Sequence, residues 1–422
     1  MKKIKIDVVA LPLSGHLYPT MNLLAPLLQN PQYEIRLFTG PQKKAVAEAV
    51  GFQVLPILEG HVKEFEKAAN NKEQLGIFSA YRQLSASLDL INLVSDQLIQ
   101  EWTNHRPDIV IVDFITLSGG LVANQLGIPW ITTMATQFVL ETTDGPPCFM
   151  GGMGSPKNFW QATIQFLGRK ATRIVKRIVS FSFRNRLKRY KFKLYNQLGH
   201  ETIYSRYSIL AIGMKEVELK KGFPEHFRWV GPSGASVEAG EDYPLDLTPF
   251  RERKKILVTC GTQLAWAKEN LICQAKQLAK AHPDCHFFVT RGVGGEAFQC
   301  ENLMENLSLV SYLPYKEYIP KMDYVIHHGG AGIFYQCIIY GKPALILPHD
   351  YDQFDYAVRG VEAGVAFSAK RDNSKAIGQS FEELLAKENW PELETLRQAA
   401  QSYHPTEILE NEIHRLLANK EK

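Results

Sequence analysis

Apolar residues gather into short, nearly unbroken runs at residues 6–11, 34–39, 53–57, 109–112 and 130–134, each separated from the next by a longer stretch of mixed polarity. Runs of this length bounded by turn residues read as strands buried on both faces, the pattern of a parallel sheet covered by helices. The stretches between carry apolar positions at helical spacing, as Met21, Leu23, Leu24, Leu27 and Leu28 do behind the first run. The alternation restarts after Arg251, with runs at 255–260, 286–290, 308–312, 324–328 and 344–347. Residues 231–249 between the two series are rich in Gly, Pro, Ser and acidic side chains and show neither period, which marks a linker. The pattern predicts an α/β chain with two doubly wound, Rossmann-like domains, 1–230 and 251–402, joined by 231–250. Within the closing segment 403–422, Ile408, Leu409, Ile413, Leu416 and Leu417 predict an amphipathic helix over 405–417. A chain of 422 residues with 45% hydrophobic content is long enough to fill two cores.

Ligands of open parallel sheets bind beyond the carboxyl ends of the strands. That rule directs four places toward one cleft: His16 after the first run, Asp113 closing the fourth, Gly261 and Thr262 after the 255–260 run, and His328 closing the 324–328 run. Residues 323–333, Asp-Tyr-Val-Ile-His-His-Gly-Gly-Ala-Gly-Ile, are a strand pattern running into a Gly-rich turn and a helix start. The first N–H groups of a helix have no partner inside it and its dipole favours negative charge there. Glycine lets the backbone approach a phosphate closely, and a histidine beside it can donate a charge-assisted hydrogen bond. Neither a Walker pattern nor GxGxxG occurs at this turn, so His328, Gly329, Gly330, Ala331 and Gly332 predict a diphosphate pocket. His327 points the opposite way along the strand and reads as structural. On the other side of the expected cleft, the imidazole of His16 suits a general base for an attacking hydroxyl, and a carboxylate such as Asp113 would hold its second nitrogen. The plain alternatives are a capping loop histidine, an N-cap aspartate, and Thr262 as a helix cap.

The His-Gly-rich turn, followed by a helix, a strand, Pro348 and then Asp352-Gln353, resembles the donor signature of family 1 nucleotide-sugar-dependent glycosyltransferases, of the UDP-glycosyltransferase and macrolide glycosyltransferase kind. The turn Gly15-His16-Leu17-Tyr18-Pro19 is similar to that family's Gly-His-x-x-Pro motif, and Asp113 matches the aspartate that pairs with its histidine. The resemblance implies the GT-B architecture, with the last helix crossing back to the first domain. It implies His16 and Asp113 as the catalytic pair, Gly261 and Thr262 as a second phosphate loop, and Asp352 and Gln353 as ligands of the sugar. Tyr312 and Leu313 fall in the segment that receives the base, and Gln336 stands where a glutamate usually meets the ribose. Tyr315, Ile333 and Tyr356 depart from the pattern, at places where Gln, Ser or Thr, and Asn are usual. The expected activity is an inverting transfer of a hexose from a UDP- or dTDP-sugar to a hydroxyl of a small, hydrophobic or aromatic acceptor. No cofactor and no metal ion is expected. A sugar-nucleotide epimerase of the same architecture and a non-catalytic partner protein are the alternatives, and the His16 turn with Asp113 weighs against both.

The formal charge of +4 is unevenly placed: residues 169–193 hold eleven Lys or Arg and no acid, leaving 37 basic against 44 acidic residues elsewhere. A local excess of this kind does not suggest a general nucleic-acid binder. Ile174, Val175, Ile178, Val179 and Phe181 interleave with those cations, so the stretch reads either as a solvated helix face or as a peripheral membrane contact. The loop-like segment 142–156 carries Phe149, Met150 and Met153, which would suit an apolar or aromatic acceptor. Six cysteines lack any CxxC or zinc spacing and read as reduced thiols. With no secretory pattern and no run of about 18 apolar residues, the expectation is a cytoplasmic enzyme with membrane association left open.

Overall fold

The computed structural model describes residues 3–69, 77–233, 244–261, 265–292 and 298–418, so Thr262 and residues 234–243 of the linker lie outside it. Among the described residues two seven-stranded sheets form. The first contains β1 (Ile4–Val9), β2 (Tyr33–Thr39), β3 (Gln53–Pro56), β4 (Ile109–Asp113), β5 (Trp130–Met134), β6 (Ile209–Ala211) and β7 (Phe227–Trp229), in the order β3-β2-β1-β4-β5-β6-β7. The second contains β8 (Lys254–Thr259), β9 (Cys285–Thr290), β10 (Cys300–Met304), β11 (Leu307–Val310), β12 (Tyr324–His327), β13 (Ala344–Ile346) and β14 (Ala366–Ser368), in the order β10-β11-β9-β8-β12-β13-β14. Every pairing is parallel except the β10–β11 edge.

The fold class read from the apolar runs is the one observed. β6, β7, β10 and β14 were not among those runs. Three of them are only three residues long, and β10 is a half-exposed edge whose Glu301 and Asn302 break any apolar run. The run at 308–312 forms a strand only through Val310, which leaves Tyr312 in the loop beyond it.

Strand order reverses at β1 and β4 in the first sheet and at β8 and β12 in the second. Crevices open at such reversals because the flanking helices depart to opposite faces. His16 and Asp113 follow one pair, and Gly261 and His328 follow the other.

Both sheets are sandwiched between apolar layers, and one cluster joins the halves: Met134, Phe138 and Met214 pack in it with Phe334, Tyr335 and Tyr356. Polar bonds stitch the same seam. Gln137 Nε2 donates to Tyr335 Oη at 2.9 Å, and Tyr356 Oη donates to the Ala135 carbonyl at 3.0 Å. The last helix, Pro405–Ala418, inserts Leu409, Ile413 and Leu416 into the core of the first sheet and donates from Arg415 to the Tyr207 carbonyl at 2.8 Å. The chain passes Tyr403 on the way there, and at Gly231 a Cβ would lie 2.4 Å from the Cβ of Tyr403. Only glycine allows the two segments to approach so closely, and its φ of +94° suits glycine as well.

The seam also carries a titratable group. Asp355 is buried and accepts the Phe149 N–H at 3.0 Å. Burial pushes its carboxyl up to about 6, against the pull of that N–H and of the Arg359 and Lys220 charges, while the neighbouring Asp352 charge adds to the rise. A carboxyl raised in the folded state contributes stability that is complete below its unfolded value of 3.8 and is lost as pH rises through about 6. Asp355→Asn keeps the acceptor oxygen and removes the buried charge. It is expected to raise the thermal midpoint by about 2–4 °C near pH 8 and to change it little near pH 4, measured by calorimetry. An equal shift at both values would contradict this assignment.

Candidate active site

β1 and β4 are neighbours in register, Val9 beside Val112, so the chain segments leaving their ends are side by side. The first leads into the helix Ser14–Leu24, which carries His16 in its first turn, and the second ends on Asp113. Nδ1 of His16 lies 3.5 Å from Oδ2 of Asp113, whose side chain is 1% exposed against 22% for His16. Oδ2 also accepts the Ile115 N–H at 3.3 Å, which holds the carboxylate in place. The ring of Phe114 tilts against the imidazole at 5.0 Å. Burial pushes the imidazole down, but the Asp113 carboxylate beside it, aided by the Asp352 charge from the other half, outweighs it and holds the group above its ordinary value. With Nδ1 turned to the carboxylate, Nε2 is the nitrogen left for a substrate proton.

This arrangement gives a signed pH prediction. A base works only in its neutral form, so activity should fall as pH drops through a His16 value above the usual 6.5. Asp113→Asn removes the charge that raises it. The acid limb of kcat/KM is expected to move to lower pH while the plateau falls about 10²-fold or more. An unmoved limb in the pH–rate profile would mean that Asp113 does not act through His16.

The facing wall comes from the second sheet. β12 ends at His327, which is buried and accepts the Gly329 N–H on Nδ1 at 3.0 Å; burial first and the neighbouring His328 second push it down to about 3. It is the structural histidine. His328 lies on the other side of the chain, wedged between glycines: a Cβ on Gly330 would come within 2.5 Å of its Nε2, and one on Gly261 within 3.0 Å of its Cε1. Burial, and then the charge of His349, push His328 down to about 4 although the Thr259 backbone pulls it upward, so its resting form is neutral. The charge-assisted bond expected from the sequence therefore requires a bound anion to draw a proton onto the ring.

Gly330 caps the helix Ala331–Ile339 without any side-chain bond. Its carbonyl takes the Phe334 N–H at 3.0 Å, while the N–H groups of the first turn precede any intrahelical acceptor. Gly332 is exposed, and Gly330 and Ala331 are half-buried. Ile333 points into the apolar cluster and is 2% exposed, which accounts for the missing hydroxyl at that place. Beside His328, an anion here would meet main-chain N–H groups in place of a side-chain hydroxyl. Gly261 adopts φ +68° and donates its N–H to Thr259 Oγ1 at 3.0 Å. That hydroxyl also bonds Tyr315 Oη at 3.0 Å and accepts from Thr290 at 2.9 Å, so Tyr315 braces the loop.

Asp352 precedes the helix Gln353–Glu362 and accepts the Thr136 hydroxyl on Oδ2 at 2.9 Å, a bond that crosses from one half to the other. Burial pushes its carboxyl up, against the Thr136 bond and the charge of His16. Gln353 turns its Oε1 back to the His349 and Asp350 N–H groups at 2.9 and 3.1 Å, which leaves its amide nitrogen side for a ligand. The residues expected to meet the nucleoside are placed less openly. Leu313 is 1% exposed in the apolar cluster and offers only main chain, Gln336 is buried with Nε2 on the Ser233 carbonyl at 3.1 Å, and Tyr312 is half-buried. His16, Asp113 and Asp352 thus act on one another across the cleft, whereas the side chains of Leu313 and Gln336 are turned into the seam.

Some residues of the site escaped the sequence reading. Thr136 lies two places beyond β5, where the strand-end rule would have found it. Arg371 follows the unrecognised β14; its Nη1 donates to the His349 carbonyl at 2.6 Å and its guanidinium lies 4.8 Å from the ring centroid of Trp266. Thr259, inside the β8 run, gave no signal of its role.

Residues 294–414 match the family model described as the erythromycin biosynthesis protein CIII-like, C-terminal domain. Over 371 residues the chain is 24% identical to the NDP-glycosyltransferase YjiC of Bacillus subtilis (strain 168), covering 86% of this chain and 84% of that protein. In three dimensions it aligns with the glycotransferase of kitacinnamycin at a TM-score of 0.75 and 18% identity, over 99% of this chain and all of the other. It aligns with the spinosyn rhamnosyltransferase SpnG, solved with thymidine diphosphate, at a TM-score of 0.66 and 15% identity, over 97% and 99% of the two chains. These solved structures share the two-lobed GT-B fold.

Proposed function

We propose that this chain, which belongs to the family 1 nucleotide-sugar-dependent glycosyltransferases, moves a hexose with inversion from a UDP- or dTDP-sugar to a hydroxyl of a small apolar or aromatic acceptor. The observation that carries this reading is the His16–Asp113 pair coupled electrostatically to Asp352 of the opposite half. In the proposed step the acceptor O–H gives its proton to His16 Nε2 as its oxygen attacks the anomeric carbon. The bond from that carbon to the diphosphate breaks, and the nucleoside diphosphate leaves with the electron pair. One displacement of this kind inverts the anomeric centre. Charge grows at two places and each is met by a fixed group. Asp113 stabilises the imidazolium, and the N–H groups at the start of the helix Ala331–Ile339, with His328, face the departing diphosphate. Asp352 and the Gln353 amide orient the sugar through its hydroxyls. Side chains and a helix N-terminus meet the leaving-group charge, so no divalent ion is required.

The test is product stereochemistry. Incubation with dTDP- or UDP-α-glucose and a set of phenolic acceptors should release one nucleoside diphosphate for each β-glycoside formed, with the anomeric coupling read by NMR and no loss of rate in EDTA. An α-glycoside, an epimerised donor without transfer, or a strict need for a metal ion would contradict the proposal.

A further inference from the structure

The helix Phe159–Ser182 is attached to the protein by its polar side. Arg169 donates to the Gly145 carbonyl at 2.6 Å, Arg173 to the Gly199 carbonyl at 3.0 Å, and Lys176 to Glu201 Oε1 at 2.6 Å. Gln165 donates to the Gly154 carbonyl at 2.6 Å on the same face. The opposite face is apolar and open: Trp160 is 73% exposed, Ile164 54%, Leu167 58%, Ile174 55%, Ile178 63% and Phe181 65%. A surface helix ordinarily turns its apolar stripe inward. This one is reversed along its whole length, roughly 36 Å at 1.5 Å per residue. A stripe of that extent far exceeds the scattered apolar residues normal for a protein surface and marks an interaction site.

Charge decides what covers it. The intervals along the stripe, four and three residues in turn once Ala171 is counted between Leu167 and Ile174, would also suit a helix from a second copy of the chain. Two copies, however, would set cation against cation, since residues 157–200 contain no acid. Val175 and Phe166, at 56% and 48% exposure, widen the stripe beyond a narrow two-helix seam. Lys170, Arg177, Arg184, Lys188 and Lys191 are exposed beside or just beyond the stripe. An apolar face edged by cations, with a tryptophan near one end, fits the boundary between acyl chains and anionic headgroups. Among the described residues no helix is long and apolar enough to cross a membrane, so the contact would lie in the plane of the surface.

We propose that the helix Phe159–Ser182 seats the protein on an anionic lipid bilayer, its stripe entering the acyl boundary and Lys170, Arg177, Arg184, Lys188 and Lys191 resting on the headgroups. The seat adjoins both halves of the molecule. The preceding loop bonds the second half through Phe149 N to Asp355 Oδ2 at 3.0 Å and Ser155 N to Glu362 Oε1 at 2.7 Å, and its Phe149 and Met150 are 56% and 42% exposed.

Co-sedimentation with vesicles tests the proposal without reference to sugar transfer. The full chain should bind vesicles of phosphatidylcholine mixed with phosphatidylglycerol, bind phosphatidylcholine alone far less, and dissociate as salt is raised. Trp160→Asp with Ile178→Asp should abolish binding while leaving the dTDP-induced thermal shift intact, which shows that the variant is folded. Lys170→Gln with Arg177→Gln, the stripe untouched, should weaken binding to anionic vesicles about fivefold for each charge removed. Absence of binding to anionic vesicles overturns the proposal. So does a dimer, seen by light scattering, that the two aspartates dissociate.

Discussion

Replacing His16 with alanine is expected to lower kcat/KM by about 10²–10⁴-fold, roughly 3–5 kcal/mol of transition-state stabilisation, with the affinity for nucleotide sugar unchanged. The expectation follows from position. His16 belongs to the first half, on the helix after β1, whereas the groups suited to a diphosphate belong to the second, around the helix Ala331–Ile339. Loss of the imidazole should therefore spare donor binding and remove the acceptor's proton sink. Slow release of free sugar from the donor, with water as acceptor, should fall in parallel. Initial rates with saturating donor, set beside calorimetric titration with the nucleoside diphosphate, separate the two effects. A variant that loses donor affinity but keeps kcat would place His16 on the wrong substrate.

The largest effect on stability is expected at Arg359. Its guanidinium and the Glu218 carboxylate are each 1% exposed and meet at 2.5 Å between the halves, with the guanidinium 4.1 Å from the ring centroid of Phe138. Glu218 Oε1 also accepts the Leu219 and Lys220 N–H groups at 2.9 Å, so the acid is anchored whether or not the cation is present. Arg359→Met would strand a buried carboxylate in a low-dielectric seam. The expected cost is about 3–5 kcal/mol, read from the shift of the urea unfolding curve. Adding Glu218→Gln should return a large part of that loss, because the penalty belongs to the unpaired charge more than to the missing contact. A loss within about 0.5 kcal/mol for the single variant would mean that the seam is wetter than its burial indicates.

The parts of this molecule legible in the sequence are those where local pattern and tertiary role coincide. β1, β4, β8 and β12 are central strands, buried on both faces, and their apolar runs follow directly from that burial. The strand-end rule then pointed to His16, Asp113, Gly261 and His328 without knowledge of the strand order. β7 and β14 lie at sheet edges and span three residues each, too few for a period to emerge, and the place of Arg371 was hidden with β14. Side-chain direction was the other blind spot. Ile333, Leu313 and Gln336 occupy positions near the expected donor, yet the packing of the halves turns the first two into the apolar cluster and the third toward Ser233. Tyr356 was a departure from the family pattern with no visible reason, until its hydroxyl proved to bond the Ala135 carbonyl of the opposite half. Such contacts join residues about one hundred to more than two hundred positions apart, beyond the reach of any local period.

The most direct measurement is a crystal structure of the protein soaked with a dTDP- or UDP-sugar. The expected density places the diphosphate on the main-chain N–H groups at the start of the helix Ala331–Ile339, beside His328, with the sugar hydroxyls on Asp352 and Gln353 and the anomeric carbon turned toward His16. Diphosphate density away from that helix, or a sugar whose anomeric carbon faces away from His16, would contradict the account.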